Sequence, residues 1–227
     1  MSFTNVRIAS NERAAVELHH IVVDLGQTGI EHAYTKPGQF VQLAVGDGKP
    51  GFYAIASGPG TSNQLEFLIK YDGETSQAIC ALKAGDSVRC SAVMGNGFPL
   101  ENVTGCDLLL FATGSGISAI RSVIESDALK GRTAKLYYGA RTPEHMAYAA
   151  KFQDWESLGV QVIPVMSRPV DDDWDGETGY VQHAYSSDPV NVTNTAAVFC
   201  GPRGMVEETQ AILSAAGMVE SRFLTNF

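Results

Sequence analysis

Residues 112–120 read ATGSGISAI, with Gly114, Ser115 and Gly116 standing between the end of an apolar run and the start of a helical pattern. Small residues at such a junction let an anion approach backbone N–H groups at the positive end of a helix, which is the chemistry of pyrophosphate binding. The spacing is not the full GxGxxG fingerprint, and a plain tight turn from strand to helix uses the same residues. A second turn, Cys200-Gly201-Pro202, follows another apolar run, with Pro202 placed to begin a helix. Arg141 in LYYGAR, and Arg168 beside Ser167 in SRP, also fall at the ends of apolar runs. Either arginine alone reads as a solvated surface residue. Together with Ser167 their forked donors suit a phosphate monoester, the group that separates NADP from NAD. Ligands of open α/β sheets lie over the carboxyl ends of the strands, where all of these turns converge.

Other chemistries find less support. DDDWDGE, residues 171–177, places Asp171, Asp173, Asp175 and Gly176 as in the first half of a calcium loop, but Gln182 stands where the bidentate carboxylate is required. It reads as a solvated acidic loop. The five histidines lack HExxH or paired spacing, and Cys80, Cys90, Cys106 and Cys200 lack zinc, redox or iron-sulfur spacing. No metal site and no acid-base or nucleophilic catalytic residue is assigned. The cysteines imply free thiols in a reducing compartment.

These turns need elements to position them, and the chain changes period along its length. From Val6 to Val93 short alternating runs such as GQFVQLAV and QLEFLIKY are bounded by Gly, Asp, Asn or Pro, the pattern of a small antiparallel barrel or sandwich. GETSQAICALKAG interrupts them with a short helix. Beyond it, DLLLFATG, AKLYYGAR, VQVIPVMS and AAVFCG are unbroken apolar runs alternating with helical stretches, the pattern of a buried parallel sheet. After Arg141 one long amphipathic helix is expected, capped by Thr142 and Pro143, with Tyr148, Phe152 and Trp155 on its core face. The expected domains are residues 1–104 and 105–227 of the 227-residue chain. A formal charge of -9 argues against nucleic acid as a partner. No apolar run approaches the roughly 20 residues needed to cross a bilayer, so a soluble protein without membrane insertion is expected.

An antiparallel barrel followed by a parallel nucleotide domain, with ATGSG, LYYGAR, SRP, GETGYVQ and CGPRGM in this order, resembles the ferredoxin-NADP reductase superfamily. PVMGNGF, DDDWDGETGYVQ and the final LTNF make the chain similar to its plant subgroup of fruit proteins first described from kiwifruit. The resemblance implies an FAD-binding barrel whose Arg-x-Tyr-Ser motif falls on Gly51, Phe52, Tyr53 and Ala54. Tyr53 is kept, while the arginine that holds the pyrophosphate and the serine near flavin N5 are absent. Ile55, Ala56 and Ser57 would continue the cofactor-facing strand. Gly73, Thr75 and Ser76 would meet the FAD pyrophosphate at a helix start, although plain capping uses the same residues. Asn96 and Gly97 would lie at the inter-domain crevice, and Phe227 near the flavin face.

In the second domain the resemblance assigns Thr113, Gly114, Ser115 and Gly116 to the NAD(P) pyrophosphate. Arg141, Ser167 and Arg168 fall to the adenosine phosphate, and Cys200 with Gly201 to the nicotinamide turn. The implied activity is hydride transfer from NADPH, or from NADH, to FAD, followed by electron release to an unknown protein or small-molecule acceptor. The two missing motif residues also leave a non-enzymatic protein on the same scaffold as the alternative. The compartment implied is cytoplasm, or an organellar stroma after removal of a transit peptide.

Overall fold

The alternating runs of the first half form six antiparallel strands in the computed structural model, which describes residues 2–60, 63–169 and 174–226. They are β1 (Phe3–Ala15), β2 (Leu18–Asp24), β3 (Phe40–Ala44), β4 (Gly51–Ala54), β5 (Gln64–Lys70) and β6 (Ser87–Ser91), in the order β4-β3-β6-β1-β2-β5. A turn at Val16–Glu17 divides what reads as one run into β1 and β2. Register shifts after Ile8 and Arg13 bend β1, so that it pairs β6 through its first half and β2 through its second. The two edge strands approach at one bridge, Ile55 to Phe67, where Ala56 N–H donates to the Glu66 carbonyl at 2.7 Å. The sheet is therefore barrel-like without being closed by a continuous ladder. Its interior is Ile8, Ile21, Val41, Phe67, Ile69 and Val88. The interrupting helix is α1 (Glu74–Cys80), as its spacing predicts.

The unbroken runs form the central strands of a parallel sheet. In chain order its elements are β7 (Asp107–Thr113), α2 (Ile117–Ile124), β8 (Ala134–Ala140), α3 (Phe152–Ser157), β9 (Val160–Met166) and β10 (Glu177–Thr178), followed by α4 (Val181–Ser187), β11 (Thr195–Cys200), α5 (Arg203–Ala215) and β12 (Phe223–Leu224). The strand order is β10-β9-β8-β7-β11-β12. Pro164 is tolerated in β9 because the neighbouring edge strand β10 pairs only with Val165 and Met166.

The stretch after Arg141 is not the single helix expected. It makes separate 3-10 turns at Pro143–His145 and Ala149–Lys151 before α3 begins. Tyr148 between them has φ 63, a left-handed conformation that ends a helix. The aromatic trio still reaches the core by this bent route. Trp155 is buried, with the Tyr148 and Phe152 rings 6.3 and 5.7 Å from it.

Helix α2 is buried along its whole length and joins the two sheets. Arg121, only 3% exposed, places Nη2 2.7 Å from the Glu66 carboxylate on β5. Its Nε lies 2.9 Å from Glu125 Oε2 without the alignment of a hydrogen bond, so that contact is ionic. The Tyr148 ring stacks under the guanidinium at 4.8 Å. Glu66 is also bonded to His20 at 2.9 Å, and Glu125 accepts from Trp155 Nε1 at 3.2 Å. One residue on, Ser122 Oγ accepts from Gly38 N–H at 3.1 Å, while Asn226 donates to the Gly38 carbonyl at 2.9 Å. Gly38 has φ 86, and a Cβ there would lie 2.6 Å from the Phe98 ring, so only glycine lets this loop meet α2.

Removing one partner of such a cluster leaves uncompensated buried charge. Arg121→Met is expected to destabilise the fold by about 3 kcal/mol in chemical denaturation. The His20 hydrogen bond and the Arg121 charge hold the Glu66 carboxyl down to about 2 from its ordinary 4.5, against the desolvation that raises it. A folded-state pKa below the unfolded one gives stability that is present above the unfolded value and is lost as pH falls through the folded value. Glu66→Gln should therefore flatten the fall of stability between about pH 4.5 and about pH 2, measured as denaturation midpoint against pH.

Candidate functional site

The carboxyl ends of β7, β8, β9 and β11 open into a cleft of about 820 Å³, to which the antiparallel sheet contributes Val16, Glu17, Leu18 and Lys70. It brings together Thr113, Gly114, Ser115, Gly116, Arg141, Ser167, Cys200 and Gly201. The turns meet backbone to backbone because they carry glycine. A Cβ on Gly116 would overlap the Cys200 carbonyl, and one on Gly201 would lie 2.6 Å from Thr113 Oγ1. Gly114, at φ 53, has nothing within 4 Å of its would-be Cβ, which leaves a backbone cradle open to the cleft. Tyr138 Oη donates to the Gly114 carbonyl at 3.3 Å and fixes that turn from below.

Two buried polar atoms beside the cradle, Thr113 Oγ1 and Gln182 Oε1, have no protein partner. Such groups call for a ligand or water. Gln182 Nε2 donates to Glu208 at 2.7 Å, and His183 is bonded to the same carboxylate at 3.1 Å. Burial pushes the Cys200 thiol up to about 11, so it stays neutral at physiological pH and is no thiolate nucleophile. Tyr180, 61% exposed, stands in the lining as an apolar platform, with its ring 5.8 Å from His183.

The ends of β8 and β9 are linked by Ser167 N–H to the Ala140 carbonyl at 2.9 Å and by Arg168 N–H to the Arg141 carbonyl at 2.8 Å. Arg141 and Ser167 thus line the cleft together, while Arg168 is adjacent but outside the lining. Arg141 Nη1 lies 3.9 Å from Glu17 Oε2 on the β1–β2 turn. Glu17, Tyr180, His183 and Glu208 were not singled out by sequence. Tyr180 follows Gly179, at φ 96, within the GETGYVQ stretch, and nothing along the chain connects Glu17 to Arg141.

The flavin-type positions lie apart from this lining. Tyr53 is half-buried, and its ring folds back over Gly51, so that a Cβ on Gly51 would lie 2.6 Å from Tyr53 Oη. Burial, then the nearby Cys80 and Asp72, pushes the phenol up to about 12. Ala54 is partly buried, whereas Ile55, Ala56 and Ser57 are buried, with Ile55 N–H bonded to the Gln39 carbonyl at 3.1 Å and the Ser57 carbonyl to Tyr34 Oη at 2.6 Å. At the start of α1, Thr75 Oγ1 donates to the Lys49 carbonyl at 2.9 Å and Ser76 Oγ accepts from Gly73 N–H at 3.0 Å. Asn96 is exposed, and Gly97, at φ 65, packs against the Lys36–Pro37 backbone. Phe227 lies outside the described residues, as do Asp171 and Asp173 of the acidic loop.

A family model described as the oxidoreductase NAD-binding domain matches residues 110–211. Fruit protein pKIWI502 of Actinidia deliciosa is 39% identical over 230 residues, covering 93% of this chain and 72% of that one. The sulfhydrogenase 1 gamma subunit of Pyrococcus furiosus is 31% identical over 206 residues, covering 84% and 67%. Among solved structures, a ferredoxin NADP+ reductase from Neisseria gonorrhoeae with bound FAD and NADP superposes with a TM-score of 0.85 at 20% identity, over 100% of this chain and 98% of that one. At that identity the likeness is one of fold.

The cradle and the glycine packing separate into two substitutions. Gly116→Ala drives a Cβ into backbone that cannot yield, and it should lower stability by about 1 to 3 kcal/mol in thermal or chemical unfolding. Gly114→Ala meets no atom and should lose only about 1 kcal/mol, from its left-handed φ, while reducing the affinity of ADP-ribose in calorimetric titration.

Proposed function

The chain belongs to the ferredoxin-NADP reductase superfamily, alongside the kiwifruit-type fruit proteins, and from that membership we propose that it is an NAD(P)H-dependent flavoprotein oxidoreductase. The observation that carries the proposal is the open cradle at Gly114 beside the unpartnered Thr113 Oγ1. Its free backbone approach and buried polar atoms fit a dinucleotide. Gly114, Ser115 and Gly116 would hold the pyrophosphate, and Tyr180 would offer the adenine a stacking face. Arg141 and Ser167, with Arg168 at the adjoining turn, would face the adenosine phosphate. Thr113, Cys200 and Gly201 would border the nicotinamide.

The flavin assignment covers residues 1–104, and the nucleotide assignment residues 105–227. The first-turn N–H groups of α1, at Glu74 to Ser76, have no carbonyl a turn back within the helix and suit the FAD pyrophosphate, with Gly73, whose own N–H is held by Ser76 Oγ, opening the turn. Tyr53 supplies an aromatic face, the end of β4 at Ala54 with the Ile55–Ser57 segment after it a wall, and Asn96, Gly97 and Phe227 the inter-domain rim. FAD, if held by these residues, would supply hydride-accepting and electron-releasing chemistry, and the protein's part would be to hold both cofactors in register. The acceptor is a protein or small molecule of unassigned identity. Among the described residues no helix is long and apolar enough to cross a membrane. The four free cysteines favour a reducing compartment.

A second reading, a non-enzymatic protein on the same scaffold, is favoured by the Tyr53 ring lying over Gly51, where relatives with the full motif carry an arginine. A charge-assisted hydrogen bond contributes roughly 1.5 to 3 kcal/mol, so its absence should weaken FAD by about tenfold to a hundredfold. Gly51→Arg regains affinity only if Tyr53 swings aside, since the new Cβ would meet its hydroxyl at 2.6 Å. Protein purified from its native host is expected to be yellow and to release FAD on denaturation. A colourless protein that takes up no flavin in titration supports the second reading instead.

A further inference from the structure

We propose that Glu17, at the tip of the β1–β2 turn, is a coenzyme-specificity residue that opposes the 2′-phosphate of NADPH at Arg141. The cleft then accepts NADH more readily than its arginine alone would allow. This inference rests on the nicotinamide-nucleotide reading of the cleft. Of the lysine and arginine side chains lining it, Lys70 pairs with Asp72 at 3.3 Å, and Arg141 faces Glu17 at 3.9 Å. The other lining carboxylate, Glu208, is engaged by Gln182 and His183. The Glu17–Arg141 contact is long and both side chains are about half exposed, so it contributes little to stability.

The tip is nevertheless held firmly. Val16 N–H donates to the Glu144 carbonyl of the parallel-sheet side, and the Glu17 carbonyl accepts from Tyr71 N–H, each at 2.8 Å. Glu17 sits at φ 61, a conformation that glycine or asparagine adopts at lower cost. A bonded backbone thus fixes a carboxylate from one sheet opposite the guanidinium of the other. A phosphate monoester brings nearly two negative charges to that guanidinium and is repelled by the carboxylate. The ribose hydroxyls of NADH carry no such charge and can donate to it.

The test uses ADP-ribose and 2′-phospho-ADP-ribose in calorimetric titration, which needs neither flavin nor turnover. Glu17→Gln should tighten the phosphorylated ligand about tenfold and leave ADP-ribose within about twofold. Glu17→Asn, suited to the left-handed turn, should do the same, and in an Arg141→Ala background the gain from Glu17→Gln should shrink to the part that comes from direct repulsion of the phosphate, with ADP-ribose again unchanged. If both ligands bind but Glu17→Gln shifts neither, or shifts both alike, the specificity role is overturned and the nucleotide site stands. If neither ligand binds the natural chain, the nucleotide reading fails and this inference falls with it.

Discussion

A buried guanidinium reaching across from one sheet to a carboxylate on the other is the contact on which the arrangement depends. Arg121 sits in the middle of α2, and the N-terminal end of the same helix is the Gly114–Gly116 turn that opens the cleft. The docking of the antiparallel sheet and the placing of the open Gly114 turn are therefore properties of one short, wholly buried helix. An isolated buried cation would be costly. Here Glu66, Glu125 and the Tyr148 ring surround it, and His20 and Trp155 orient the carboxylates. Ser122 and Asn226 add the Gly38 contacts from the same side, which limits how far the sheets can turn against each other.

This geometry suits chemistry that the cofactors carry. The cleft supplies open backbone, unpartnered polar atoms and the bonded His183–Glu208 pair, and its thiol, Cys200, is held neutral by burial. Binding and alignment are what such a site can do, and hydride transfer between two bound cofactors needs little more from a protein. In the proposed flavoprotein the departures at Gly51 and Ala54 bear on how tightly flavin would be held. Neither residue lines the cleft.

Local patterns announced much of this. Alternating and unbroken apolar runs gave the two sheets, and the glycine turns after β7 and β11 gave most of the cleft, because both signals are carried by neighbouring residues. The expected helix after Arg141 breaks at Met146, where the backbone turns extended, and again at Tyr148, a left-handed residue that packs beside Arg121 and Trp155 and has no marker in residue type. Glu17 was invisible for a related reason: its relation to Arg141 exists only once the sheets dock. Arg168 looked equivalent to Arg141 at a strand end, but the cleft takes in only Arg141. The folding of Tyr53 over Gly51 is likewise a pairing of alternate residues on one face of β4, which the motif comparison registered only as a missing arginine.

The most direct measurement is anaerobic mixing of the FAD-loaded protein with NADPH or NADH, followed by the absorbance of oxidised flavin. The proposed nicotinamide cleft, held against the proposed flavin-binding sheet by α2, predicts that this absorbance bleaches on addition of the reduced coenzyme. FAD-loaded protein whose spectrum stays unchanged with saturating amounts of both coenzymes would contradict the account.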